Sequence, residues 1–326
     1  MTLQREFLLL FLLTPIVLSH ETGTENTLLL GGDTILQIST TSMELVTDTG
    51  VCTPKLPPIP VGRQSAAAVL IDRKILYCGG IDRGDSGHYG GYHGSCHSYQ
   101  LGGGERTYWK EEPGMVSVRS EFSLSLVGNT VYAIGGRYQD TVESYTEEGG
   151  WKLEEDMVMD KYRSSHCSIV WDQDIVILGG EHRSGPFNSV QAIDTSNKTV
   201  GWRSMESMET PRYGHGCHVS TYEGHTGILV AGGWGSGNYV RQVEFYRYNN
   251  NSWIQLGSLV TPRYHHSVTV VSGNLVVAGG LNGNDEPLSS IEYFNISNSE
   301  WNVGNYLKVG RFGHSSVGVP VKLLDC

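Results

Sequence analysis

Charged residues are scarce in this sequence of 326 residues, at 17% of the chain, and basic residues are the scarcer kind. Acidic residues number 34 against 23 lysines and arginines, which gives a formal net charge of -11. Because phosphate backbones and anionic lipid surfaces attract proteins through basic charge, this composition argues against nucleic acid or a membrane surface as a partner. Helical patterning is also missing, so we expect an all-β fold.

Long apolar runs are missing too, except at residues 7–18. This run has 12 residues, whereas a helix that spans a bilayer needs about 20 residues. This run follows a short polar head that carries Arg5, and Val17 and Ser19 are small residues at the spacing that a signal peptidase reads. We therefore expect a secretory signal over residues 1–19, a secreted and extracellular mature chain, and no membrane span. The alternative is a buried first strand or helix.

Glycine, by contrast, is abundant, with 42 residues, and part of it is periodic. A Gly-Gly doublet that directly follows a short apolar stretch occurs six times, at intervals of 44 to 56 residues. Glycine at the end of a strand allows backbone conformations closed to other residues and lets neighbouring chains approach closely. The doublets begin at Gly31, Gly79, Gly135, Gly179, Gly232 and Gly279.

Three other residue types recur in phase with the doublets. A tryptophan follows most doublets after an aromatic or apolar strand, an arginine then closes each unit, and in four units a histidine stands three residues after that arginine. The tryptophans are Trp109, Trp151, Trp202, Trp253 and Trp301. The arginines are Arg63, Arg119, Arg163, Arg212, Arg263 and Arg311. The histidines are His166, His215, His266 and His314.

Four short strands in a unit of about fifty residues are what one blade of a β-propeller needs. The order of apolar strand, Gly-Gly, aromatic residue, Trp and Arg resembles the kelch repeat over essentially all of the chain after the signal. Two departures occur: the first unit has Val51 and Cys52 where Trp is expected, and the units that start at Arg63 and Arg119 have Ala66 and Phe122 in place of histidine.

The two ends of the repeat array predict how the propeller closes. The first doublet strand has no innermost strand before it, whereas residues 313–321 form an innermost strand with nothing after it. We expect the two to pair, which removes an open sheet edge. The expected fold is therefore an all-β, six-bladed kelch-type β-propeller over residues 20–326, closed by N- and C-terminal strands that share the first blade.

In such a meander, two kinds of connection lie on one face of the propeller. The first kind links the outermost strand of one blade to the innermost strand of the next blade, and the second kind links the second and third strands of a blade. Three N-glycosylation sequons, at Asn197, Asn250 and Asn295, each fall between a third strand and the following Trp, so we expect glycans on the opposite face. The face of the arginine connections stays bare and is the expected binding surface, since loops on a rigid scaffold usually carry recognition.

The six arginines are candidate binding residues, because a ring of guanidinium groups at the channel mouth would attract acidic peptides or sulfated and sialylated glycans. The kelch resemblance implies the alternative, that these arginines bind backbone carbonyls between blades. For the four histidines, packed or hydrogen-bonded rings are expected rather than a metal site, since a wide channel would hold them too far apart to share one ion. We expect no metal and no cofactor.

The glycine-rich stretch at residues 81–95 contains Arg83, Gly84 and Asp85, which resemble an integrin-recognition motif. An exposed Arg and Asp separated by Gly would offer a guanidinium and a metal-binding carboxylate. The alternative is a mobile loop without a partner. The nearby histidines have no recognised metal-ligand spacing.

Six cysteines are too few to define a disulfide-stapled fold, but in a secreted chain they can reinforce one. Cys78 ends the second strand of the second blade and Cys96 begins the antiparallel third strand, so we expect these two to pair. Cys52 and Cys326 emerge on one face and are a second candidate pair. The remaining cysteines lie on adjacent innermost strands, as a disulfide or as two buried thiols: Cys167 and Cys217.

Three functions are compatible with these features, and we favour the first. It is a secreted, non-catalytic module that binds an unidentified extracellular protein or glycan on the bare face. The second is an extracellular carbohydrate-active enzyme, because related propellers host copper-dependent sugar oxidases, sialidases and sialic-acid epimerases. The sequence shows neither sialidase-type Ser-x-Asp-x-Gly boxes nor the oxidase constellation of Tyr, Cys and His, which leaves an epimerase-like activity. The third is adhesion through integrin binding by Arg83, Gly84 and Asp85.

Overall fold

The structure is a computed structural model that describes residues 25–35, 38–83, 89–102, 108–295 and 298–324. The predicted signal peptide lies outside these described residues, as do Gly84, Asp85 and Cys326, so the Cys52–Cys326 pairing stays a prediction. Within the described ranges, no helix is both long enough and apolar enough to cross a bilayer.

The described residues are nearly all in strands and their connections. In chain order the strands are β1 Glu25–Leu30, β2 Met43–Thr47, β3 Gly50–Cys52, β4 Ala67–Ile71, β5 Lys74–Cys78, β6 Ile81–Arg83, β7 Tyr89–Tyr92, β8 Cys96–Gln100, β9 Lys110–Glu112, β10 Ser123–Val127, β11 Thr130–Ile134, β12 Val142–Thr146, β13 Gly150–Leu153, β14 Cys167–Trp171, β15 Asp174–Leu178, β16 Glu181–His182, β17 Gly185–Pro186, β18 Val190–Asp194, β19 Arg203–Met205, β20 Gly216–Tyr222, β21 His225–Ala231, β22 Trp234–Gly235, β23 Asn238–Tyr239, β24 Gln242–Arg247, β25 Ser252–Ser258, β26 Ser267–Val271, β27 Asn274–Ala278, β28 Ser290–Asn295, β29 Glu300–Tyr306 and β30 Ser315–Pro320. Short 3-10 helices span Glu155–Met157, Lys198–Val200, Tyr248–Asn250 and Val321–Leu323.

These strands form six four-stranded antiparallel blades, as the repeat predicts. From innermost to outermost strand, the blades are β30-β1-β2-β3, β4-β5-β8-β9, β10-β11-β12-β13, β14-β15-β18-β19, β20-β21-β24-β25 and β26-β27-β28-β29. Two-stranded ribbons, β6-β7, β16-β17 and β22-β23, extend three of the connections between second and third strands. The predicted closure is confirmed, because β30 pairs with β1 from Glu25 opposite Pro320 to Leu30 opposite Ser315.

A closed circle of backbone hydrogen bonds surrounds the propeller axis. The six arginines of the repeat are here called the blade arginines. The circle joins the six residues that stand two positions after them, and each N–H in the circle donates to the carbonyl of its neighbour at 2.6 to 3.0 Å. The six residues share a left-handed φ of 51° to 60°, which turns each N–H toward the neighbouring blade. They are Ser65, Glu121, Ser165, Gly214, His265 and Gly313. The six blades are thereby tied together at the axis as well as by β30.

Adjacent blades approach each other closely at the Gly-Gly doublets. At Gly179 and Gly180 the φ values are +56° and +93°, and a Cβ on Gly180 would lie 2.7 Å from the Cβ of His166. Only glycine meets both demands without strain. The Gly180 N–H donates to the carbonyl of Arg212 in the next blade at 2.9 Å, and the second glycine of every other doublet makes the equivalent bond.

The hydrophobic core lies between blades. One buried cluster, for example, combines Leu178 and Ala192 of the fourth blade with Val230 and Tyr246 of the fifth. Three of the five in-phase tryptophans add hydrogen bonds between neighbouring blades. The Trp202 indole N–H donates to the carbonyl of Met157 at 2.9 Å, and Trp109 and Trp253 bond the preceding blade's connection in the same way.

Two disulfides lie in the described part of the chain. Cys78 is joined to Cys96, which links β5 to β8 inside the second blade, the pairing expected from the sequence. Cys167 is joined to Cys217, which resolves the choice left open by the sequence. This second bond connects the innermost strands of the fourth and fifth blades.

Candidate functional site

The six blade arginines were candidates for ligand contact, and their positions correct that expectation. Each guanidinium is buried, between 0 and 3% exposed, and its Nη1 donates to the carbonyl of the first doublet glycine in the same blade at 2.7 to 3.0 Å. A buried guanidinium whose donors are used within the blade does not reach a ligand. The arginines bind backbone carbonyls, as the alternative interpretation stated, but within one blade and not between blades, and they do not form a binding ring.

Four of these arginines are neutralised by buried glutamates that the sequence analysis missed. Arg119 pairs with Glu143 at 2.8 Å, Arg263 with Glu292 at 2.6 Å, and the same pairing joins Arg311 to Glu44 and Arg212 to Glu244. Burial lowers the pKa of all four guanidiniums, and the paired carboxylate opposes this shift. A signal for these glutamates was present in the sequence: in four blades, an apolar residue followed by Glu stands at the same position of the third strand.

The glutamates also fix the connections that lead to the face of the arginines. Glu143, for instance, accepts hydrogen bonds from the backbone N–H groups of Val116 at 2.7 Å and Ser117 at 3.0 Å. Glu44, Glu244 and Glu292 each accept two backbone N–H groups in the corresponding connection. Each Arg–Glu pair therefore anchors the connection between two blades, and the residues that directly follow the arginine in this connection reach the channel mouth.

The four histidines lie beside the channel, each directly before an innermost strand, and they are packed and mostly hydrogen-bonded. His166 bonds the Ser123 hydroxyl at 2.9 Å, and His314 bonds the Ser267 hydroxyl at 3.1 Å. Burial, followed by the charge of the adjacent arginine, lowers the pKa of both imidazoles to about 3. The rings are therefore neutral at physiological pH.

A cavity of 670 Å³ opens at the channel mouth, and it is the candidate functional site. Its floor and part of its wall come from residues one and two positions after the blade arginines, including Gln64, Glu121, Tyr213, Tyr264 and His265. The rest of the wall comes from connections between second and third strands, including Arg83, Arg137, Tyr138, Glu181, His182, Arg183 and Asp285. The cavity thus lies on the face of these two connection types.

Two of the arginines in the cavity wall are paired with carboxylates of the protein itself. Arg83 contacts Asp33 at 3.1 Å, and burial raises the pKa of that carboxyl against the opposing effects of Ser39 and Arg83. Arg137 contacts Glu121 at 3.2 Å. Arg83 of the integrin-like motif is therefore held in the wall, with a side chain only 10% exposed.

Aromatic side chains line the cavity beside these charges. Tyr138 and Tyr162 meet edge to face with ring centroids 5.6 Å apart, and the Tyr162 ring lies 4.4 Å from that of His182. On another part of the wall, Tyr213 and Tyr264 meet at 90° with centroids 6.4 Å apart. Aromatic rings combined with convergent polar groups are typical of a pocket that recognises part of another molecule.

The three sequons lie away from this cavity. Asn197, Asn250 and Asn295 are exposed. The first two belong to connections between a third and a fourth strand, and Asn295 ends the third strand of the sixth blade, where such a connection begins. In the propeller meander these connections emerge on the face opposite the cavity.

The comparisons with known proteins agree with this architecture. Residues 123–324, more than half of the chain, match the family model described as the KLHDC2/KLHL20/DRC7 Kelch-repeats domain. The chain belongs to the kelch-repeat family. Kelch-like protein 15 of Homo sapiens is 24% identical to this kelch propeller over 275 residues, which cover 77% of the chain and 44% of that protein.

Other kelch relatives match shorter parts. Kelch repeat and BTB domain-containing protein 2 of Cowpox virus is 30% identical over 156 residues, which cover 44% of this chain and 26% of that protein. The chain thus spans less than half the length of these curated relatives. Among solved structures, the structure of YjhT has a TM-score of 0.66 at 13% identity and covers 87% of this chain and 98% of its own, a likeness of fold alone.

Proposed function

We propose that this kelch propeller is a non-catalytic interaction module that binds a segment of a partner protein in the mouth cavity. The observation that carries the proposal is the cavity itself: 670 Å³ lined by aromatic and charged side chains from several blades, on loops anchored by buried Arg–Glu pairs. A rigid scaffold that presents such side chains lowers the entropic cost of binding. Kelch propellers typically bind proteins, which supports the same conclusion.

We also propose that the protein acts outside the cell and carries glycans. The support is the secretory signal expected at residues 1–19 and the exposure of Asn197, Asn250 and Asn295. With these glycans on the opposite face, the cavity stays accessible to a protein partner. Treatment of the secreted protein with an N-glycosidase is expected to reduce its mass, and Asn→Gln variants would assign the sites.

The test of the binding site compares two Tyr→Ala variants on opposite faces. Tyr162→Ala removes a ring of the cavity wall, whereas Tyr248→Ala removes a partly exposed ring that stacks on Trp171 beside the Asn250 sequon. A partner captured from extracellular fluid by the wild-type propeller and then purified should bind Tyr162→Ala at least tenfold more weakly and Tyr248→Ala unchanged. The reverse order would place the binding site on the other face.

The same protein preparation tests the non-catalytic part of the proposal. Assayed with sialic acid, and analysed for bound copper, it is expected to show neither turnover nor stoichiometric metal. Turnover that disappears in Tyr162→Ala would assign an enzymatic function to the cavity instead.

A further inference from the structure

The part of the cavity around Tyr213 differs from the rest in its charge. The Tyr213 hydroxyl lies in the field of Glu181, Glu121 and Asp285. Burial, followed by Glu181 and Tyr264 and then the other carboxylates, raises the pKa of this phenol to about 12. Negative charge therefore dominates this part of the wall, in a molecule whose net charge is already -11.

The aromatic rings here form a connected surface. The Tyr213 ring packs against Trp234 at 5.4 Å and meets the Tyr264 ring at 90°, and Tyr264 in turn packs against Tyr239 at 5.6 Å. The Tyr239 hydroxyl donates to Asp285 Oδ1 at 2.7 Å, which fixes that carboxylate beside the rings. Aromatic faces next to carboxylates attract cations, through the ring quadrupole and through direct charge.

The carboxylates of the cavity are not balanced by its arginines. Four carboxylates line the cavity against three arginines, and one of these arginines, Arg83, is used by Asp33. Glu121 is paired with Arg137. The third arginine, Arg183, is exposed and lies over the Tyr138 ring at 5.8 Å, without an ion pair in the described ranges. Glu181 is half-buried, and within the described ranges its carboxylate makes no ion pair and no side-chain hydrogen bond. Burial and the neighbouring Glu121 raise the pKa of the Glu181 carboxyl and outweigh the opposing charge of Arg137, which is itself paired with Glu121.

A second, independent group in the same cavity also lacks a donor. Gln64 is only 9% exposed and lines the cavity, and its side-chain oxygen Oε1 accepts no hydrogen bond from the part of the chain that the structure describes. An unpaired acceptor at this depth costs free energy unless a ligand satisfies it. Both Glu181 and Gln64 therefore require donors, and Glu181 also requires positive charge.

We propose that the cavity surface formed by Glu181, Tyr213, Tyr264 and Asp285, here called the Tyr213 wall, binds a lysine or arginine side chain of the partner protein. An ammonium or guanidinium group would contact the rings and neutralise Glu181, and it carries several N–H donors. The inference rests on the proposed function and specifies its ligand as a basic peptide segment. The six buried blade arginines take no part in it.

The experiment selects a random dodecapeptide phage library on the immobilised wild-type propeller. Enriched sequences should contain Lys or Arg at a recurring position, and a synthetic copy of one should lose at least tenfold in affinity when that residue is replaced by Gln. The same peptide should bind Glu181→Gln and Tyr213→Ala at least tenfold more weakly. Tyr213→Phe should retain most of the affinity because it keeps the ring.

Glu148→Gln is the matched control, since it removes the same charge from an exposed position in the β12-β13 connection on the opposite face. Its affinity for the peptide should equal that of the wild type. Circular dichroism and urea unfolding would verify that the Glu181 and Tyr213 variants are folded.

Three outcomes separate the two proposals. Basic peptides whose affinity depends on Glu181 support both. Enriched peptides without a basic residue, or affinity unchanged in Glu181→Gln, would overturn the assignment of the Tyr213 wall and leave a protein-binding cavity in place. Enrichment of no peptide, or of peptides that bind Glu181→Gln, Tyr213→Ala and Tyr162→Ala all as well as wild type, would contradict the proposed function as well.

Discussion

A buried guanidinium needs partners for its charge and for its donors, and the blade arginines meet this need in different ways. Arg263 and its three equivalents have a glutamate in the third strand. Arg163 instead donates to the Gln191 side chain at 2.9 Å and to the Ser189 hydroxyl at 2.7 Å. Without a paired carboxylate, burial lowers the pKa of Arg163 to about 10. The third-strand position that holds Glu in four blades thus holds Gln191 in the fourth blade, so Glu and Gln can be compared as partners of a buried arginine within one chain.

That comparison leads to a prediction for Glu292. Replacing it by Ala should lower the free energy of unfolding by about 3–5 kcal/mol, because Arg263 would stay buried without a counter-charge. Glu292→Gln should cost clearly less, since Gln191 shows that an amide can accept from the arginine. Urea unfolding followed by tryptophan fluorescence measures both, with Glu148→Gln as the surface control. Equal losses for the two variants would show that the missing charge, which both variants share, decides the cost and that the amide acceptor contributes nothing.

At the level of strands and connections, much of the fold could be predicted from the sequence. Doublets and tryptophans mark fixed points of each blade, so strand order and closure follow from their spacing. The glutamate partners were missed because a single Glu in a short strand, such as Glu143, looks like an outward-facing residue until register places it beneath an arginine. The cavity lies on the face expected from the meander, but its lining could not be predicted, since the connections that carry Glu181 and Asp285 differ from blade to blade and show no period.

The disulfides offer a prediction at this scale. Cys167 and Cys217 are 50 residues apart and tie two blades, whereas Cys78 and Cys96 are 18 apart within one blade. If restriction of the unfolded chain dominates, removing the first bond should cost about 4 kcal/mol and removing the second about 3 kcal/mol. The two double Cys→Ala variants, compared by urea unfolding under oxidising conditions, serve as controls for each other. A larger loss for the Cys78–Cys96 variant would contradict the entropic account.

On the scale of the whole molecule, the closed circle of hydrogen bonds around the axis encloses a channel that all six blades line. Every blade contributes one innermost strand to it, and four of these strands directly follow a histidine that is at most 9% exposed. Burial, followed by the charge of the adjacent arginine, lowers the pKa of His215 and His266 well below its usual range, and the pKa of His166 and His314 to about 3. The channel therefore accepts protons less readily than the unfolded chain does.

Stability should accordingly depend on pH in a definite direction. The histidine pKa values are lower in the folded state than the ordinary 6.5, so the contribution of these residues is fully present above pH 6.5 and is lost as the pH falls toward 3. At pH 5 each such histidine should cost about 2 kcal/mol relative to pH 7.5. The raised pKa of Asp33 acts in the opposite direction, so a comparison between variants is needed to isolate the histidines.

His314→Phe provides that comparison, because Phe122 already occupies the equivalent place in the third blade. The free energy of unfolding in urea, measured at pH 7.5 and pH 5, should differ by about 2 kcal/mol less in this variant than in the wild type. His225→Phe, at an exposed position of the β20-β21 hairpin, should leave the difference unchanged. If His314→Phe also leaves it unchanged, His314 must be protonated at pH 5 in the folded state, which requires water or an anion to enter the channel and compensate the charge beside Arg311.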